Sequence, residues 1–269
     1  MMRQIWLGAN AVFRESVRDR VPYSIVVFAV LMIAASYLIS QMTAGQDVKI
    51  IKDLGLAALS IFGLLIAVFI GVGLVTKEVE KRSVYGLLTK PLSRSQFLLG
   101  KYAGLVMTLA VNLSVMMLAL YGVLAYSNWM ATAGLRLSWE APAVDPRMLL
   151  AVVMIFAELM LVTALALFFS TFTSPLWATL LTLGLWVAGH FNADLRNFGE
   201  VVDSAPVIWV ARVVYYVIPN LAPFDVKAEV VHGIDVAARH VVYTLAYAAL
   251  YIGVLLTASV TISGRRDFK

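Results

Sequence analysis

Glu158 stands near the centre of the apolar run Met148–Phe172 and is the one carboxylate within the chain's membrane-length segments. An ionisable group at that depth costs a few kcal/mol or more, so it turns towards a bundle interior or a wet cavity and marks a candidate functional position. Two chemistries fit. Glu158 can line a translocation path or gate, or it can hold an interhelical hydrogen bond, with Asn112 in the third apolar run as the partner to test. Sequence alone leaves both open. The histidines, His190, His232 and His240, read as lying on the outer side, and none has a second ligand at metal-binding spacing. Glu158 is therefore expected to have no histidine partner at membrane depth. Without a paired acid and base or a nucleophile and base, a membrane-embedded enzyme is the weaker reading from another class.

A nucleotide site is equally missing from the sequence. A phosphate-cradling loop needs Gly-x-x-x-x-Gly-Lys-Ser/Thr, because backbone amides and a lysine must surround the phosphates. Gly100-Lys101 has Ser95 in place of the first glycine and Tyr102 in place of the hydroxyl residue. Any ATP and magnesium would be bound by a partner. The absence of cysteine removes disulfides, thiolate metal sites and thiol catalysis.

The elements that must position these residues are membrane spans. Of 269 residues, 61% are hydrophobic, above the roughly 45–50% of soluble domains, and the mean hydropathy is +0.87. The excess falls in runs of about 20 residues, enough to cross about 30 Å of hydrocarbon. The expected fold is an all-α polytopic membrane protein, one domain over 1–269, with six spans: Pro22–Ser40, Leu54–Val75, Tyr102–Tyr126, Met148–Phe172, Pro175–Phe191 and Val241–Ile262. Ser170-Thr-Phe-Thr-Ser-Pro175 predicts a tight turn between the fourth and fifth, since proline removes a donor and biases its predecessor away from helix. Residues 1–20 carry Ile5, Ala9, Val12, Phe13 and Val17 on one face and Arg3, Arg14 and Arg18 opposite, the pattern of an interfacial helix. Residues 192–240 form the largest extracytoplasmic loop, and the apolar stretch 206–218 within it is too short to span and reads as interfacial or re-entrant. Gly63, Ala67 and Gly71 form a small-residue stripe suited to close helix packing, either within the chain, the commoner case, or at a dimer seam.

Charge sets the expected orientation. With both termini inside, 13 of the 21 lysines and arginines fall in cytoplasmic segments, at more than twice their density outside. The net charge of +5 reads as this topological bias, not as a nucleic-acid surface. Six of those basic residues lie in the island Thr76–Lys101. Its only helix breaker between Glu78 and Thr89 is Gly86. Pro91 then imposes a corner, and Ser93-Arg-Ser-Gln96 fits a capping box that restarts a helix. A short helix, a proline corner and a capped re-entry make a rigid element able to transmit motion.

Here the chain resembles a known family. Lys77-Glu-Val-Glu-Lys-Arg82, Leu87-Leu-Thr-Lys-Pro-Leu-Ser-Arg94 and Leu98-Leu-Gly-Lys101 are similar to the signature loop of ABC-2 type transporter permeases, nearest the bacterial branch tied to multicopper-enzyme maturation. The resemblance extends to the six spans, the N-terminal elbow helix, Phe168–Pro175 and the terminal Arg265-Arg-Asp267. It implies a multi-pass subunit of a bacterial inner (plasma) membrane exporter that is not itself an enzyme and binds no cofactor. It further implies pairing with a second permease copy or a related permease, and with a separate ATPase. By resemblance, Glu78, Glu80 and Arg82 lie on a coupling helix that docks on the ATPase, Leu87 and Leu88 supply its apolar contacts, and Pro91 and Arg94 set the corner. A variant within the class would serve a periplasmic metalloenzyme-maturation system.

Overall fold

The computed structural model describes residues 9, 10, 12–14, 20–40, 47–80, 94–191, 206, 209, 215 and 218–265, with only the backbone of 20, 21, 74–80, 94, 264 and 265. Its principal helices are α1 (Arg20–Ser40), α2 (Asp47–Glu80), α3 (Arg94–Met130), α4 (Ala133–Leu137), α5 (Arg147–Ser170), α6 (Pro175–His190), α7 (Lys227–Val231) and α8 (Ala238–Arg265), with a 3-10 turn at Ala222–Phe224. No strand occurs among the described residues. The end of the bundle that holds the island is called the island end here, and the end that holds residues 131–146 the cap end.

Among the described residues, five helices are long and apolar enough to cross a membrane: Pro22–Ser40, Asp47–Gly73, Ser95–Met130, Arg147–Ser170 and Ala238–Ser263. The expected fifth span does form a helix, α6, but it has 16 residues, a length of about 24 Å against roughly 30 Å of hydrocarbon. The expected span Pro175–Phe191 thus forms as a helix of nearly the same bounds, shorter than the other five. The chain stops at His190 because a returning segment occupies the space beyond. Leu221 N–H donates to Gly189 O at 3.0 Å, and a Cβ on Gly189 would lie 2.7 Å from Pro219 O. Asn220 N–H donates to the Tyr247 hydroxyl of α8 at 2.9 Å, and His240 Nε2 meets Pro223 O at 2.8 Å. The returning chain then packs α7 on α2 and α5. Of the stretch 206–218, Pro206, Trp209 and Tyr215 are helical, and most of the rest lies outside the described residues.

α5 is the hub. It packs on α2, α3, α6 and α8, and its residues from Ala151 to Leu167 are largely buried. Apolar side chains all round are what a central helix needs. The small-residue stripe faces it. A Cβ on Gly71 would meet the Cβ of Ala166 at 2.9 Å, and one on Gly63 would strike Leu159. The stripe thus serves intramolecular packing, with α2 and α5 approaching nearly backbone to backbone.

The predicted turn between α5 and α6 is present. Ser170, Thr171 and Thr173 each return a hydroxyl hydrogen bond to a carbonyl of the last turn, Leu167, Phe168 and Phe169. Those bonds satisfy acceptors that a helix end leaves open. Ser174 is extended, Pro175 opens α6, and Phe168, Phe169 and Phe172 pack edge to face at the corner, with centroids 5.1–5.9 Å apart.

At the island end, α2 continues without a break through Glu80, so Glu78 and Glu80 prolong the axis of the second span. α3 begins at Arg94, the position after the expected capping residue. Arg82, Leu87, Leu88, Pro91 and the capping residue Ser93 lie outside the described residues. Residues 9, 10 and 12–14 are helical, with Ala9 and Val12 buried and Arg14 exposed, as the amphipathic pattern predicts. Their contact is with protein: a Cβ on Gly104 of α3 would lie 2.7 Å from Ala9 O and from Val12 Cβ.

Candidate functional site

Most buried hydroxyls satisfy themselves locally. Thr108, Thr163, Thr182 and Ser259 each bond to the carbonyl four residues back in their own helix. Glu158 differs, because its partners come from a neighbouring helix. It is 1% exposed and lies 11 residues from Arg147 and 12 from Ser170, about 17 and 18 Å along α5 at 1.5 Å per residue. It is thus at mid-depth.

Trp186 Nε1 donates to Glu158 Oε1 at 2.6 Å, and His190 Nε2 lies 3.6 Å from the same oxygen. Trp186 and His190 are four residues apart on α6, so they share one face, with ring centroids 4.6 Å apart. His190 Nδ1 is 3.0 Å from Trp186 O. A carbonyl only accepts, so Nδ1 carries a hydrogen and Nε2 is the atom presented to the carboxyl group. The approach of Nε2 to Oε1 is then favourable only with a proton on one of the two. Glu158 and His190 therefore make a buried acid–imidazole pair able to hold one proton, oriented by the Trp186 indole. His190 is 21% exposed, so the pair has a more open shoulder. Asp225 and Lys227, themselves 3.5 Å apart, act electrostatically on Glu158 from the returning chain. A string of polar groups thereby runs from mid-depth towards the cap end.

Two expectations are corrected by this geometry. Glu158 bonds to Trp186, and Asn112 Nδ2 has no hydrogen-bond partner. Glu158 also has a histidine beside it, because His190 lies one turn beyond Trp186 on the same face of α6. Counting from the corner reveals the register: Glu158 lies 12 residues before Ser170, and Trp186 lies 11 after Pro175. In an antiparallel hairpin those positions stand at one height. No group of three or more histidine, aspartate or glutamate residues able to hold a metal occurs among the described residues.

A second polar group lies at the cap end. Asp145 Oδ1 accepts from Arg147 N–H at 2.9 Å, Tyr121 donates to Asp145 O at 2.9 Å, and Arg147 Nε donates to Asp235 at 2.7 Å. His232 Nδ1 meets Glu140 Oε2 at 2.7 Å, and this hydrogen bond, helped by Lys49, holds the Glu140 carboxyl below its usual range. Lys52 of α2, which sequence reading places in a loop, is fully covered.

A bundle of membrane-length helices around a buried acidic residue, with a long helix leading to a charged island, defines a membrane transport component. The family described as ABC-2 family transporter protein matches residues 9–195, and the chain belongs to that family. The match is to the family as a whole, not to one of its branches. A search of curated proteins found no match. As a multi-pass member of this family the chain is a membrane transport component.

Proposed function

We propose that this chain is the membrane-spanning permease subunit of an ATP-driven exporter, working as a pair of permeases with a separate ATPase in a bacterial inner membrane. The observation that carries the reading is α2, unbroken from Asp47 to the acidic pair Glu78 and Glu80. A helix of 34 residues, about 50 Å long, joins the charged island to the opposite end of the bundle. Movement imposed on the island by an ATPase closing around ATP and magnesium would travel along that axis. Glu78, Glu80, Arg82, Leu87, Leu88, Pro91 and Arg94 are the coupling residues in this reading. Both termini and the island are cytoplasmic, and the cap end faces out. α6 with its returning segment makes the sixth passage, and Glu158 with Trp186 and His190 stands beside the path.

The test is co-purification with an ATPase and stimulation of its hydrolysis. Charge reversal at Glu78 should weaken association or uncouple hydrolysis from transport at unchanged membrane abundance. Full association and transport in that variant would reduce the island to a topological anchor. Orientation is tested in the cysteine-free chain: Asp203→Cys should react with an impermeant thiol reagent outside intact cells, and Ser83→Cys should not.

A further inference from the structure

We propose that Glu158 and His190 form a proton-binding site, in which one exchangeable proton between Glu158 Oε1 and His190 Nε2 fastens α6 to α5. The proposal deepens the permease reading and rests on it for the use of the proton, but not for the site. Of the chain's aspartates, glutamates, lysines, arginines and histidines, two fall within the six apolar runs, and they are Glu158 and His190. One is an acid and the other a base, and they come from different helices to within 3.6 Å. Either alone would be costly at that depth. Together, holding one proton, they carry no net charge.

A proton is the ligand this geometry takes. Glu158 is 1% exposed and offers no open face to an organic molecule. A metal ion needs three or four ligands, and no such group occurs among the described residues. The neighbouring hydrogens are already committed: His190 Nδ1–H points at Trp186 O at 3.0 Å, and Trp186 Nε1–H occupies Oε1 at 2.6 Å. Nε2 is left to gain or lose a proton. Its loss sets the carboxylate against the Nε2 lone pair, and an attractive contact becomes repulsive. α5 packs on α2, α3, α6 and α8, and the apolar runs of α2, α3 and α8 bring no charged side chain to the pair. From the returning chain Asp225 and Lys227 act on Glu158, but they lie 3.5 Å apart and largely offset each other. His190 is the more open member, so exchange runs through its ring. In the permease reading, the α5–α6 contact beside the path then responds to proton concentration.

The experiment uses the full chain in nanodiscs, with isotope-labelled histidine and tryptophan nitrogens followed by NMR as pH is varied. His232→Gln and His240→Gln each remove one other histidine signal and so assign His190, and Trp186→Phe assigns the indole N–H. In the parent, His190 Nε2 and the Trp186 indole should titrate together, with one midpoint between about pH 5 and 9, because both meet Glu158 Oε1. Nδ1 should keep its hydrogen throughout. In Glu158→Gln the His190 midpoint should move by about 1–3 pH units and the indole response should vanish. A His190 titration that the indole does not follow, an unmoved midpoint in Glu158→Gln, or no titration in that range overturns the site and leaves a fixed structural pair. Neither readout involves an ATPase or transport, so failure here is distinct from failure of co-purification.

Discussion

Trp186 Nε1 and Glu158 Oε1 lie 2.6 Å apart, joining α5 to α6 at the level where α6 is about to end. The bond uses the indole's only donor and supplies a covered carboxyl oxygen with one of its partners. It separates a structural role for Glu158 from a role in transport. Glu158→Gln keeps an acceptor for Trp186 but cannot ionise, so a purely structural role predicts normal stability and normal stimulated ATPase activity. Glu158→Leu strands the indole N–H and should cost about 1–3 kcal/mol, read as a lower thermal midpoint. Loss of stimulated ATPase activity in Glu158→Gln at unchanged stability assigns the residue to the path.

Gly189 makes the return of the chain at the end of α6 possible. Its missing side chain admits Pro219 O and Leu221, and neither backbone can retreat without breaking the bond from Leu221 N–H. Gly189→Ala should destabilise by about 1–3 kcal/mol. Because Asp225 and Lys227 follow on the same segment, the variant should also alter proteolysis between residues 219 and 235. An unchanged midpoint and cleavage pattern would refute the close approach.

Two glycines of α2 should respond in opposite directions. Gly71 faces Ala166 Cβ, which is rigid, whereas nothing lies within 4 Å of a Cβ on Gly73. Gly71→Ala should cost about 1–3 kcal/mol by wedging α2 from α5. Gly73→Ala should be neutral or gain about 0.5–1 kcal/mol from reduced backbone freedom. Equal thermal shifts in the two variants would contradict the packing.

The Glu140–His232 pair gives a pH dependence outside the membrane. Hydrogen bonding to His232 lowers the Glu140 carboxyl below its ordinary 4.5. A lowered folded-state value means that the stabilisation is complete above that ordinary value and is lost as pH falls through the lowered one. The His232→Ala variant should therefore show less acid destabilisation between about pH 5 and 3 than the parent, in thermal midpoints measured across that window. Identical acid limbs would show that the contact contributes nothing.

Much of this arrangement is legible in the sequence. The apolar runs give the helices, Ser170–Pro175 gives the corner, and the glycine stripe gives a close-packing face on α2, because each is encoded over a few neighbouring residues. What escapes is depth. His190 reads as external only if α6 crosses completely, and its shortness becomes visible once residues 219–221 are seen against Gly189. Lys52 escapes for a related reason. A lysine outside an apolar run reads as a loop cation, and only tertiary packing covers it. The coupling residues of the island belong to the proposal above, with Glu78 and Glu80 on the extension of α2.

The early end of α6 has an electrical consequence. Aligned peptide dipoles leave about half a negative charge at a helix C-terminus, and here that terminus lies one turn beyond the level of Glu158. Its field reaches a covered carboxyl group through protein, where it is poorly screened. Mid-membrane is ordinarily the level most hostile to a positive charge. In this bundle the C-terminus of α6 makes the level around Glu158 more favourable to a positive charge than an apolar span would be.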